Sequence, residues 1–539
     1  MVLTKRVITV VFLLILLLNL TATGGRYVFA QETEEPVRHT TIVVEKTLYE
    51  WWLNRWTDNL LLCQIFVDHE GPPTAEEVIK DCGIEVYEQW RKTPPCEAAA
   101  AGEPTTYCTG LYAHFAGYQP GTTTTEVELP PPSVWVDISG CSLRTPENFC
   151  TQRPNLVFTA EEPLPDQEIE FIYVVVEGVK VTCKGDECVV PTRSTSLNGT
   201  EVEFWADSSF GDSSEHFTAL VRVLESGVPT APTSNGWYVD VLSSQWLGGP
   251  VESCSLIWQS FPPPGISPSW LSTPSQRVLL ASVEPYQYLA GRLIFQGLVD
   301  ASECSSNGLL VNGYADACGL DKARPLVDLW QNQFDNRILD VAKETNLPAQ
   351  LMKNLFAQES QFWPGVFRVP QEYGLGQITD QGADTILLWN EPFYDSYCPL
   401  ILSEIECSKG YLRLDEEERA ILRGSLATAA NSDCPECPSG VDLLHTDMSV
   451  MLFAQGILAN CDQVGQTIYN ATNKIPGSVS RYEDLWRFTL ANYNGGAGCL
   501  AFAVFRTWGL REPMDWDHVS SHLTQPCQGV IAYVDSVTQ

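Results

Sequence analysis

Positive charge is scarce in this chain: 32 Lys and Arg stand against 67 Asp and Glu in 539 residues, a formal net charge of −35. Such a surface repels polyanions, which argues against nucleic acid as a partner and leaves any anionic polymer to be held by local contacts in a cleft. Long apolar runs are lacking beyond the first twenty residues, and no later segment approaches the ~20 residues of a spanning helix. The 18 cysteines are not clustered either. Cys63, Cys82, Cys96 and Cys108 fall early, Cys141/Cys150 and Cys183/Cys188 are close pairs, Cys254 and Cys304 lie mid-chain, and eight run from Cys318 to Cys527. An even, scattered set reads as disulfides made in an oxidising compartment, with the pairing inside each group left open. Cys434-Pro-Glu-Cys437 has the gap of half a zinc site, with Cys398 and Cys407 as candidate partners, but an exported context favours disulfides here too.

What is present is ample for packed cores: 44% hydrophobic residues and 16 Trp, in a length that predicts three or four domains. Lys5 and Arg6, the apolar run from Val7 to Leu18 and the small-residue site Val28-Phe29-Ala30 predict a signal peptide over 1–30, cleaved after Ala30. The protein is then extracellular, at the cell surface or periplasmic. An uncleaved anchor is the alternative, and only in that case is a membrane a partner.

The pattern predicts a multidomain chain. Residues 40–119 form a cysteine-stapled unit with a hairpin around Thr57-Asp58-Asn59 and a helix opening at Thr74-Ala75-Glu76-Glu77. The Thr- and Pro-rich stretch 120–133 reads as an extended linker. Short runs separated by turn residues over 134–225 suggest an immunoglobulin-like β-sandwich. Residues 226–318 read as a second β-rich or irregular layer, with strands at Trp237–Leu242 and Arg277–Val283. Trp237, Trp246, Trp258 and Trp270 there are of a type that stacks on sugars, but no spacing aligns them on one face, which favours core roles. From 319 to 539 the apolar spacing is helical, as over Leu326–Lys343, Ala349–Phe362, Glu416–Ala430, Ser449–Cys461 and Leu485–Ala491. Asn198-Gly199-Thr200 and Asn470-Ala471-Thr472 match a glycosylation sequon that is common by chance.

Chemistry concentrates in the helical third. Leu351 and Leu355 share one stripe with Glu359, so its carboxylate faces inward near a helix C-terminus. Apolar walls and the negative end of the helix dipole both disfavour its charged form. A raised pKa suits a general acid that must hold a proton near neutrality.

In this segment the sequence resembles the soluble lytic transglycosylase (SLT-domain) family of the lysozyme-like superfamily. That family carries Glu-Ser at a helix end, then Gly-Leu-Met-Gln, then Ala-Tyr-Asn; here Glu359-Ser360, Gly374-Leu375-Gly376-Gln377 and Ala491-Asn492-Tyr493-Asn494 occur in that order. The resemblance covers roughly 325–510. It implies a lysozyme-like catalytic fold and cleavage of the MurNAc-GlcNAc β-1,4 bond of peptidoglycan glycan strands, with Glu359 as acid and then base and a 1,6-anhydro product. Neither metal nor cofactor is implied. Gln377 and the backbone at Gly376 would line the cleft, Tyr493 and Asn494 would lie close to the acid, and Ser360 would set its geometry. Gly376 stands where the family has methionine, and Tyr373, another candidate lining residue, stands where it has a small residue. Glu372, Asp380 and Asp384 are near enough in sequence to supply a second carboxylate, Glu372 first among them, which keeps a lysozyme-type hydrolase as an alternative. A non-catalytic wall-binding surface protein is the other.

Overall fold

The computed structural model describes residues 38–141, 148–232, 234–265, 267–365, 367–368 and 371–539. The expected signal peptide, 1–30, lies outside them. They fall into two compact units: the chain up to Pro131 with the short segments Glu162–Gln167 and Ser209–Asp212, and the remainder.

The first unit is a three-stranded antiparallel sheet, β2(Leu61–Val67)-β1(His39–Arg55)-β3(Leu111–Glu128), with helices α1(Ala75–Cys82) and α2(Ile84–Arg91). A capping box between Thr74 and Glu77 starts α1, as its sequence predicts. The core is small, Leu53, Ile65, Val67 and Val78, and Cys63–Cys82 and Cys96–Cys108 staple it. The stretch expected as a linker is instead strand: Thr122, Thr123, Thr124 and Thr125 pair with Glu45, Val44, Val43 and Ile42. Threonine is β-branched and favours a pleated strand, and Pro120 is tolerated because β3 is an edge strand.

The second unit begins with two sheets that share one core. β4(Ser133–Ser139), β6(Asn155–Glu161) and β9(Glu187–Pro191) form one. β5(Phe149–Cys150), β7(Ile169–Val176), β8(Val179–Lys184), β10(Thr200–Ser208), β11(Phe217–Ala231) and β12(Ser234–Leu242) form the other, in the order β5-β12-β11-β10-β7-β8. Alternate residues of β10, Val202, Phe204 and Ala206, point inward, and Phe158 meets Phe204 across the core at 4.9 Å. This β region extends to Leu242.

The stretch from there to residue 318 is largely not β. It carries α3(Ser253–Trp258), α4(Gln287–Phe295) and single 3-10 turns, one of which, Arg277–Leu279, lies where a strand was expected. Its apolar residues complete the C-terminal helical core: Trp258, Trp270, Leu289 and Leu293 pack with Leu355 and Trp486, and Cys254 is bridged to Cys461. Trp258 and Trp270 are therefore core, as their spacing suggested.

The C-terminal region is helical around two cores. The larger takes in α5(Ala349–Ser360), α9(Tyr482–Gly495) and α10(Gly529–Val537). The smaller takes in α6(Asp380–Trp389) and α7(Glu416–Ala430) and is stapled by Cys398–Cys407. The 30-residue α8(Leu443–Thr472) serves both, giving Val450 and Phe453 to one and Leu452 to the other.

Candidate active site

Helix α5 ends at the junction of these cores. Leu351 and Leu355 are fully buried on the stripe that carries Glu359. The chain then turns through two successive left-handed residues, Gln361 (φ 47°) and Phe362 (φ 63°). A bulky residue pays strain for that backbone, and the strain persists only where surroundings over-determine it. Here Phe362 is wholly buried and its carbonyl accepts from Trp330 Nε1 at 2.9 Å. Ser360 Oγ donates to Leu375 O at 2.8 Å, which ties the end of α5 to the glycine turn.

That turn is built around glycine for steric reasons. A Cβ on Gly374 (φ +73°) would lie 2.8 Å from Ser449 Cβ and 2.9 Å from Ala430 O. A Cβ on Gly376 would lie 2.0 Å from Phe453 Cδ2. Phe453 fills the space that a longer side chain at 376 would need. The same ring meets Phe356 of α5 at 4.7 Å and Tyr493 of α9 at 5.6 Å.

Four titratable side chains converge here. Tyr533 of α10 donates its hydroxyl to Glu359 Oε1, and Tyr493 donates to Gly376 O. Burial pushes the Glu359 carboxyl up to about 7; the Tyr533 hydrogen bond works the other way, and the charge of Glu372 adds to the rise. Glu372, on the short strand Gln371–Glu372, is itself raised by burial. Tyr493 and Tyr533 are held well above their ordinary value, first by burial and then by the neighbouring Glu359 carboxylate, so both stay neutral donors. Glu359 Oε2 makes no hydrogen bond to any described residue. The arrangement therefore offers a proton near neutral pH on a carboxyl with one oxygen unengaged.

Gln377 is only 7% exposed and turns back into its own loop, Nε2 donating to Gly374 O at 2.6 Å. Tyr373 packs against the smaller core and bonds Gln371 Oε1 at 3.1 Å. Asn494 is exposed and makes no side-chain hydrogen bond to a described residue. Its neighbour Asn492 is the buried one, donating to Asn460 Oδ1 and Gln463 Oε1, both at 2.7 Å. Tyr533 was missed because nothing in its local sequence marks it; tertiary packing alone brings it to Glu359.

Two recesses, of about 610 Å³ and 280 Å³, are lined by other residues, Trp330 and Val441 in one and Ser480 and Asp484 in the other. The cysteines of the candidate zinc site are paired as Cys398–Cys407 and Cys434–Cys437. Among the described residues no cluster of His, Cys, Asp and Glu fits a metal ion, and no helix is long and apolar enough to cross a membrane. No family model, curated protein or solved structure matches the chain.

Proposed function

We propose that the chain is an exported peptidoglycan lytic transglycosylase whose acid and base is Glu359. The observation that carries this reading is the carboxyl of Glu359, raised to about 7 by burial while only one of its oxygens is engaged by a protein donor. It supports a group that arrives protonated at the glycosidic oxygen and leaves as a carboxylate. In the reaction Glu359 gives its proton to the oxygen leaving the anomeric carbon of N-acetylmuramic acid. The 6-hydroxyl of the same sugar then attacks that carbon and returns its proton to Glu359, closing a 1,6-anhydro ring. One carboxyl is enough for this cycle, and the neutral Tyr533 hydroxyl steadies it in its anionic phase. The ordered motifs support a lysozyme-like reading of the helical region, and the paired sheets support an immunoglobulin-like reading of residues 134–242. The disulfides fit an oxidising, exported setting.

A second reading has one observation in its favour: Glu372 is close enough for its charge to raise the Glu359 carboxyl. If Glu372 orients a water instead, the same site hydrolyses the bond. Mass spectrometry of fragments released from purified peptidoglycan separates the two. Anhydro ends from the wild type and none from Glu359→Gln are expected. Reducing ends would transfer the role to the carboxylate pair, and no release would remove both.

A further inference from the structure

Helices α1 and α2 cover one face of the three-stranded sheet of the first unit; the other face is aromatic. The residues of one parity on β1 are Glu50, Trp52 and Asn54, continuing into Trp56 just beyond the strand. Their cross-strand neighbours Tyr112 and His114 come from β3. Trp56 and Tyr112 stack at 4.0 Å with their planes 26° apart, and Trp52 lies 6.0 Å from His114. Between the rings sit polar groups. Glu50 accepts from Trp52 Nε1 and, at 2.5 Å, from Gln64 Nε2.

We propose that this face is a carbohydrate-binding platform for a linear β-linked glycan strand, with Trp52 and the Trp56–Tyr112 pair meeting the C–H faces of successive sugars and Glu50, Gln64 and His114 meeting their hydroxyls. The choice of glycan strand rests on the peptidoglycan reading above. An apolar protein surface or acyl chains would bury the Glu50 carboxylate and the exposed Gln64 amide away from water, whereas a polyol supplies donors and acceptors at each sugar. The strong acidity of the chain disfavours an anionic lipid surface as well. A protein poor in positive charge would thus gain hold of its polymer through ring contact and hydrogen bonds rather than through net charge.

The test uses the full chain carrying Glu359→Gln, so that bound glycan stays intact, and measures co-sedimentation with insoluble peptidoglycan stripped of accessory polymers. Trp52→Ala is expected to weaken binding about tenfold, while Trp52→Phe, which keeps a ring, retains most of it. His114→Ala alters an exposed position and is expected to weaken binding about threefold, which serves if Trp52→Ala misfolds. Melting curves identify any variant that does. Binding unchanged in well-folded Trp52→Ala and His114→Ala, or ring-dependent binding to neutral phosphatidylcholine vesicles and none to glycan, would overturn the platform. If the wild type cleaves nothing but binding to peptidoglycan still depends on Trp52, the proposed reaction fails and the platform stands.

Discussion

Two half-buried glutamates lie at opposite kinds of helix end. Glu252 caps the N-terminus of α3 and Glu359 ends α5, and burial raises each to about 7. Their surroundings differ. Both oxygens of Glu252 are engaged, by Cys254 N at 2.8 Å, Ser255 N at 3.0 Å and Ser255 Oγ at 2.6 Å. Its helix presents positive dipole ends and its hydrogen bonds are those of a structural cap. Glu359 has one hydroxyl on one oxygen and the negative end of its helix behind it. A raised carboxyl thus marks burial, and chemistry needs in addition an oxygen left unengaged.

The comparison breaks most sharply on activity. Glu359→Gln should lose about 10³-fold or more in rate of peptidoglycan cleavage, measured by fragment release, while Glu252→Gln should keep the wild-type rate per folded molecule. The pH dependence of stability comes next. Glu359 holds its proton up to about 7 when folded but sheds it near its ordinary 4.5 when unfolded, so folding weakens as pH rises through that window. Replacing it with Gln removes this loss, and denaturant titration should find the variant more stable than wild type at pH 8, by roughly 3 kcal/mol at most, with no such gain at pH 4. Tyr533→Phe takes away the donor on Glu359 and should cost about tenfold in rate, with the upper limb of the pH–rate profile moving to higher pH. Glu252→Ala should lower the melting temperature through loss of a cap worth about 1–2 kcal/mol, with fragment release per folded molecule intact. The smallest change belongs to Glu372→Gln: it removes a charge that raises Glu359, so the upper limb should move to lower pH. A large loss of rate in that variant would instead support the paired-carboxylate reaction.

Local pattern carried part of this layout. The inward stripe ending at Glu359, the helical character of the C-terminal region and the inward alternation of strands such as β10 follow from side-chain period alone. Tyr533 could not be read, because 174 residues separate it from Glu359 and only the packing of α10 on α5 brings them together. The threonine run was misleading: it has the composition of a linker, yet β-branching lets it pair with Ile42–Glu45. Residues 253–318 hid their helices among prolines and serines, since their apolar residues find partners far along the chain. The bond that Gln377, expected to line the cleft, makes to Gly374 was not legible either, because it depends on a left-handed backbone at that position (φ 53°).

Of the nine disulfides, eight join cysteines that are neighbours in sequence order, and Cys254–Cys461 alone spans six others, from Cys304 to Cys437. In a chain oxidised as it emerges N-terminus first, Cys254 meets Cys304 long before its true partner exists. At about 5–20 residues per second, the 207 residues between Cys254 and Cys461 amount to roughly 10–40 s during which the thiol must wait or be mispaired. For a chain exported in that way, a host that oxidises thiols without reshuffling disulfides should accumulate a Cys254–Cys304 crosslinked species, which non-reducing peptide mapping would detect.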